Sequence, residues 1–209
     1  MPDEITAEFA NADLGDPRRA KRLPKLATSL AQAPAESITA ASGGWSEVIA
    51  ACRFLNNGEF EAGELIRPHR RKIVERTSNH DCVVAIEDTT EIDFTPMNSV
   101  RDLGPLNDET RRGFYMHGHY AVTEQGLPLG ILGADIIVRD DEDFRQAANR
   151  RNLPIEEKES HRWIEGYQVF FRILKTGCRV ERVQLKTCEA LIRALMIDLV
   201  IAWHALIGK

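Results

Sequence analysis

The sequence predicts a mixed fold of the α+β or α/β kind: a helical first part, a sheet that begins near residue 82, and a helix towards the C-terminal end. Three observations carry that expectation. Cys82-Val83-Val84-Ala85-Ile86-Glu87-Asp88-Thr89-Thr90 runs apolar or small residues into two acids and two threonines, which reads as a strand buried on both faces with acids at its carboxyl end. Ahead of it the apolar residues recur with a helical period; behind it, Phe114 to Glu124 and Gly130 to Val138 read as strands around the turn Gln125-Gly126-Leu127-Pro128,.

At 209 residues and 43% hydrophobic content the chain is long enough to bury a proper core as one domain or two,. A net charge of −5 and a pI near 5.7 argue, taken globally, against a nucleic-acid partner. The local distribution reads differently. Residues 1 to 80 hold 11 Lys/Arg against 11 Asp/Glu, and residues 81 to 209 hold 16 against 21, so the acidic excess lies in the second part. Cysteines 52, 82, 178 and 188 form no CxxC pair and read as reduced cytosolic thiols. The acidic opening Met1-Pro2-Asp3-Glu4 precedes no apolar run and has no signal-peptide character,. Leu185 to Ile207 is apolar but interrupted by Glu189, Arg193 and Asp198, so a buried or partner-facing helix is expected there rather than a membrane span.

In chain order, residues 5 to 14 predict a short helix stopped at Gly15. Asp16-Pro17 then opens a second helix, an N-cap acceptor followed by a residue with no N–H to leave unsatisfied,. Leu23, Leu26, Ala27 and Leu30 form its core-facing stripe, and Pro24 is expected to kink or split it. Arg18, Arg19, Lys21, Arg22 and Lys25 share this segment with no acid between Pro17 and Leu30. Such a surface displaces counterions from a phosphate backbone; the alternative is a solvated basic face. Gly43-Gly44 breaks the chain before a third helix, with Trp45, Val48, Ile49, Cys52 and Leu55 on a face expected to be core,. Ala62 to Arg76 is a further helical segment, disturbed at Pro68, and carries Arg67, Arg70, Arg71, Lys72 and Arg76.

On the acid-bearing strand, alternation puts Asp88 on the side of Val84 and Ile86, and Glu87 on the side of Val83 and Ala85. A carboxylate on a rigid apolar support suits a hard cation such as magnesium; the alternative is that both acids solvate a strand end. His117 and His119 share one face of the next strand, and with no third ligand nearby in sequence they read as packed or DNA-facing. Asp140-Asp141-Glu142-Asp143 reads as a solvated loop, and about Ile155 to Tyr167 as a helix with acids at its start,.

Ile86-Glu87-Asp88-Thr89-Thr90 resembles the first catalytic segment of bacterial cut-and-paste DDE transposases of the transposon-five type, in the insertion-sequence-four group. Further segments agree in the same order: Asp13-Leu14-Gly15-Asp16-Pro17-Arg18-Arg19, Ser37-Ile38-Thr39, Arg53-Phe54, Glu156-Glu157-Lys158-Glu159-Ser160 with Arg162-Trp163, and Lys175-Thr176-Gly177-Cys178. The resemblance implies a helical DNA-binding domain over residues 1–80 that holds double-stranded transposon ends, with Arg18, Arg19, Lys21, Arg22, Lys25, Arg53, Arg70, Arg71 and Lys72 as contacts. It implies a partial RNase H-like domain over 81–168 and a C-terminal helical remnant over 169–209. It also implies catalytic roles for Asp88 and Lys175, with Asp88 a ligand of Mg2+.

The resemblance breaks after the Glu-Lys-Glu-Ser segment. Gly166-Tyr167-Gln168 runs straight into Val169-Phe170-Phe171, where full-length relatives carry a strand with the second aspartate and a large β insertion. Seven positions before Lys175, Gln168 stands where the family has its glutamate, and His161 and Ile164 take the places of its tyrosine and arginine. Glu165, Asp93 and Asp135 are the conceivable substitutes. The expectation is therefore a cytoplasmic, internally deleted transposase that binds DNA ends without cutting them. The alternatives are an active metal-dependent nuclease or transposase, a non-catalytic protein that pairs through its apolar C-terminal helix with an intact transposase, as a heterodimer, or with itself, and a product that folds poorly.

Overall fold

The computed structural model describes residues 2–97, 99–108, 110–140, 178 and 180–207. Among them, helices α1 (Pro2–Glu8), α2 (Pro17–Gln32), α3 (Ile38–Ala41), α4 (Trp45–Leu55), α5 (Ala62–Leu65) and α6 (Arg67–Thr77) precede an antiparallel sheet. The strands are β1 (Val83–Asp93), β2 (Gly104–Pro105), β3 (Arg112–Thr123) and β4 (Pro128–Ile137), and helix α7 (Cys188–Ile207) closes the described chain. The expected α+β class, helices then sheet then C-terminal helix, is the class observed. The expected helix over 155–167, the acids Asp141 to Asp143, and Glu156–Glu159, Ser160, His161, Arg162, Trp163, Ile164, Glu165, Gln168 and Lys175 lie outside the described residues.

The cap and core stripe of α2 form as expected. Asp16 accepts the Arg18 N–H at 2.7 Å, and Leu23, Leu26, Ala27 and Leu30 are buried. Pro24 does not split the helix, which runs through it from Pro17 to Gln32. Proline removes the hydrogen bond to Ala20 O, and the buried stripe offsets that loss. The first helix ends at Glu8 rather than near residue 14, because Asn11 takes a left-handed turn, φ 58°. Pro68 separates α5 from α6, occupying the first turn of α6, where a missing N–H costs nothing,.

Two expectations about packing, on Trp45 and on β1, are corrected, and that of a buried C-terminal helix is met. Trp45 is not core: it is 75% exposed at the start of α4, whose buried positions are Val48, Ala51, Phe54 and Leu55. Strand β1 is not buried on both faces and does not end at its acids. It continues to Asp93 and, among the described strands, lies at the sheet edge, paired along its full length with β3 and leaving Ala85, Glu87, Asp88 and Thr89 exposed. An edge strand with one covered face needs apolar residues only at alternate positions, and Val84, Ile86 and Ile92 supply them. Helix α7 is long and apolar enough to cross a membrane, yet 78% of its apolar window is buried inside the fold. Its residues from Ala194 to His204 are buried without interruption, which is the buried of the two placements expected for it.

Helix α7 joins the N-terminal helices and the sheet in one core, shared by Phe9, Leu26, Leu55, Leu65, Met116, Ile131, Leu195 and Trp203. Two polar junctions fasten it. Arg193, 2% exposed, donates to the carbonyl of Leu55 at the end of α4 at 3.1 Å and to that of Phe60 in the turn beyond it at 3.4 Å,. At the second, buried Glu8 of α1 meets His69 Nδ1 at 2.5 Å and pairs with Arg76. His69 Nε2 accepts the Ile131 N–H at 3.0 Å, and Arg76 lies 4.6 Å over the Trp203 ring. Since Nε2 is an acceptor, the proton sits on Nδ1 and points at Glu8. Burial, only partly countered by Glu8, holds the His69 imidazole below its ordinary value. Burial raises the Glu8 carboxyl, but its bonds to His69 and Arg76 outweigh that and leave it lowered.

Candidate nucleic-acid interface and the acidic strand

The basic residues of α2 divide into two groups. Arg22 Nη1 pairs with Glu47 at 2.6 Å and Nη2 donates to the Glu47 carbonyl at 2.9 Å, while Lys25 reaches the same carboxylate at 2.7 Å. Those bonds, Lys25 first and then Arg22, hold the Glu47 carboxyl below its usual range. Arg19 donates to Leu14 O at 3.1 Å and approaches Glu59 at 3.8 Å. The segment holds no acid of its own, as expected, but α4 and the turn after it supply two, so Arg19, Arg22 and Lys25 meet acids distant in sequence. Arg18 and Lys21 remain exposed and form no ion pair among the described residues.

The same division holds further along. Arg53 and Arg70 are exposed and form no ion pair among the described residues. Arg71 is exposed and donates to Asn11 O at 3.3 Å, while Lys72 lies 3.9 Å from buried Glu8. The turn from Ala10 to Asp16 is thus bordered on one side by Arg71 of α6 and runs on the other into Arg18 and Lys21. Trp45 adds an exposed indole at the start of α4. Exposed cations around a fixed turn, with the paired cations engaged in holding α2 to α4, form a surface able to meet phosphates without rearranging the core.

Residues 3–60 match the family model of the transposase DNA-binding domain. The match takes in α1 to α4, about a quarter of the chain. It supports a transposase-related DNA-binding role for this region, with DNA as its partner. Within the matched residues lie Arg18, Arg19, Lys21, Arg22, Lys25 and Arg53; Arg70, Arg71 and Lys72 lie beyond them on α6.

Asp88 sits mid-strand on β1, opposite Gly118 of β3, which in turn faces Ala134 of β4. Its carboxylate is exposed on the side of Val84 and Ile86, which pack against the main core. On that side the strands present Ile92, Phe114, Met116, Tyr120, Ala134 and Ile136. Asp88 is the single acid there among the described strand residues. Asp93 and Asp135 belong to the opposite face. Asp93 is held by Arg111 at 2.9 Å and by the Thr95 N–H at 2.8 Å, and Asp135 lies beside His119. Neither can share an ion with Asp88 in this sheet. The magnesium site implied at Asp88 is therefore not fitted by the described residues, since one carboxylate supplies too little charge and too few oxygens for two ions.

The opposite face holds a second group of ligand-capable side chains. Glu87 stands directly across from His119, and Asp135 from His117. His119 Nδ1 lies 2.9 Å from Glu87 Oε1 and its Nε2 lies 3.0 Å from Asp135 Oδ2. His117 Nε2 is 3.8 Å from Glu87 Oε2, and its Nδ1 is 2.8 Å from Thr89 Oγ1. The Asp135 bond, opposed by burial and aided by Glu87, raises the His119 imidazole. Sequence reasoning placed the two histidines on one face but missed Glu87, because only the β1–β3 register reveals what stands across from His119.

Proposed function

We propose that this chain is an internally deleted relative of bacterial transposon-five-type transposases that grips double-stranded transposon ends in the cytoplasm and does not cut them. The observation that carries the DNA-end reading is the family match over residues 3–60, coinciding with the exposed cations Arg18, Lys21 and Arg53, which form no ion pair among the described residues. Arg70 and Arg71 extend that surface onto α6. The sheet is read as the first part of an RNase H-like domain, on the strength of an acid-bearing strand paired with the hairpin β3–β4. The non-cutting half rests on Asp88 having no companion acid on its face among the described strand residues, and on Gln168 standing seven positions before Lys175 in the sequence.

The test is a binding titration of the full chain on duplex DNA carrying the element's ends, repeated across salt concentrations and then with Mg2+ added. The expected result is an affinity that falls linearly on logarithmic axes as salt rises, with intact strands throughout. An affinity indifferent to salt would remove the DNA-end reading. Magnesium-dependent nicks abolished by Asp88→Ala would establish an active nuclease in its place.

A further inference from the structure

We infer that Glu87, His117 and His119 form a binding site for a divalent transition metal, zinc being the best match, on the sheet face opposite Asp88. The ligand atoms of these three side chains all lie within 4.8 Å of one another. The backbone explains why. Residues two apart on a strand project to the same face, so His117 and His119 point together, and the cross-strand partner of His119 is Glu87,. Three ligands come from two strands whose spacing is fixed by an unbroken ladder along the length of β1.

The hydrogen bonds divide the imidazole nitrogens into inner and outer sets. His119 Nδ1 and His117 Nε2 are the atoms nearest the Glu87 carboxylate, at 2.9 Å and 3.8 Å. A tetrahedral zinc with bonds of about 2.0–2.2 Å separates its ligand atoms by roughly 3.3 Å, so these two distances bracket the requirement. The remaining nitrogens are each already held: His117 Nδ1 by Thr89 Oγ1 at 2.8 Å and His119 Nε2 by Asp135 at 3.0 Å. An outer carboxylate or hydroxyl that fixes ring orientation and tautomer is what metal-ligating histidines ordinarily require. With a metal bound, His119 Nε2–H donates to Asp135 and His117 Nδ1–H donates to Thr89, leaving both inner nitrogens free to ligate. Three protein ligands leave the fourth position to water or an external ligand.

Two imidazoles and one carboxylate select borderline cations over hard ones. Magnesium demands near-octahedral oxygen coordination, whereas zinc and its late first-row neighbours take nitrogen readily. The site therefore differs in both place and preference from the magnesium chemistry implied at Asp88, and it does not depend on the proposed function. Because Asp135 reaches in from β4, an occupied site ties β4 to β1 across β3, and binding to the folded state raises its stability by mass action.

The experiment uses tag-free full chain, stripped with chelator and titrated with Zn2+ alone and with Mg2+ alone, read by calorimetry and by thermal unfolding. The expected result is one zinc per chain, with a midpoint raised by roughly 5–10 °C at a hundredfold excess over Kd, and no comparable response to magnesium. Co2+ substitution should give the visible absorption of a tetrahedral nitrogen and oxygen site without a thiolate charge-transfer band. His117→Gln with His119→Gln, and separately Glu87→Gln, should lose the zinc-dependent shift while keeping the metal-free circular dichroism. Cys82→Ser and Asp88→Ala should retain it. Zinc binding that survives the double histidine substitution, vanishes in Cys82→Ser, or is matched by magnesium would overturn the site, as would a wild-type chain that takes up no zinc.

Discussion

Arg18 and Arg22 stand one turn apart on α2 and act through different partners. Arg22 is committed inside the fold, tying α2 to α4 through Glu47, whereas Arg18 meets no acid among the described residues and is free to answer a phosphate. Removing one cation that neutralises a duplex phosphate lowers the salt slope by about 0.9. Arg18→Ala and Lys21→Ala should therefore each flatten the dependence of log affinity on log salt by roughly that amount, at little cost in stability. Arg22→Ala should leave the slope nearly unchanged and lower the thermal midpoint instead. Salt titrations of the three variants, run beside melting curves, check the division; equal slope reductions for Arg18→Ala and Arg22→Ala would refute it. Neither residue's role was readable from its own segment, since Glu47 lies 25 positions beyond Arg22 and no local pattern announces their meeting.

Helix α7 shows what a sequence exposes about an element and what it conceals. Its run of apolar residues is legible, as were the cap and core stripe of α2, the break at Pro68 and the β3–β4 hairpin, because each follows from local period or turn chemistry. What Arg193 and Asp198 do inside that run was not legible, because their surroundings come from distant segments: Arg193 serves the carbonyls of Leu55 and Phe60. Asp198 has no opposite charge paired with it among the described residues, and burial pushes its carboxyl from an ordinary value near 4 up to about 8. Cys178, whose thiol is raised by burial and by this acid, is its titratable neighbour among the described residues. The sign of the linkage follows. The folded state holds the Asp198 proton where the unfolded chain releases it, so this contribution is fully present below pH 4 and is lost as pH rises towards 8. The loss runs at up to about 1.4 kcal/mol per unit. Asp198→Asn keeps the shape and stays neutral throughout. The variant should match wild type in urea unfolding near pH 4 and exceed it by on the order of a few kcal/mol near pH 7.5; a gap that stays constant with pH would show that the carboxyl is already solvated.

At the scale of the whole molecule, the stretch that matches the transposase DNA-binding model, residues 3–60, shares its interior with the sheet and with α7. Leu26 and Leu55 belong to the same apolar core as Met116 and Trp203, and the Glu8, His69 and Arg76 junction joins α1 and α6 to the β4 backbone and the Trp203 ring. A boundary at residue 80, natural as it looks from the change of period in the sequence, cuts through that core and removes the donors that satisfy the end of α4. The basic surface around the Ala10–Asp16 turn keeps its shape only while α1, α2 and α6 are held in place from below. A fragment of residues 1–80 should therefore show reduced helicity and a broad, weakly cooperative melt. It should bind end DNA far less tightly than the full chain, with affinity recovered when residues 81–209 are supplied in trans. The change in α7 packing can be isolated by Trp203→Ala in the full chain, where deletion of a large buried aromatic costs about 3–5 kcal/mol and loosens the same junction without touching any exposed cation. If the fragment instead melts cooperatively and binds end DNA as tightly as the full chain, grip on the DNA resides in the N-terminal helices alone and the shared core serves only the sheet.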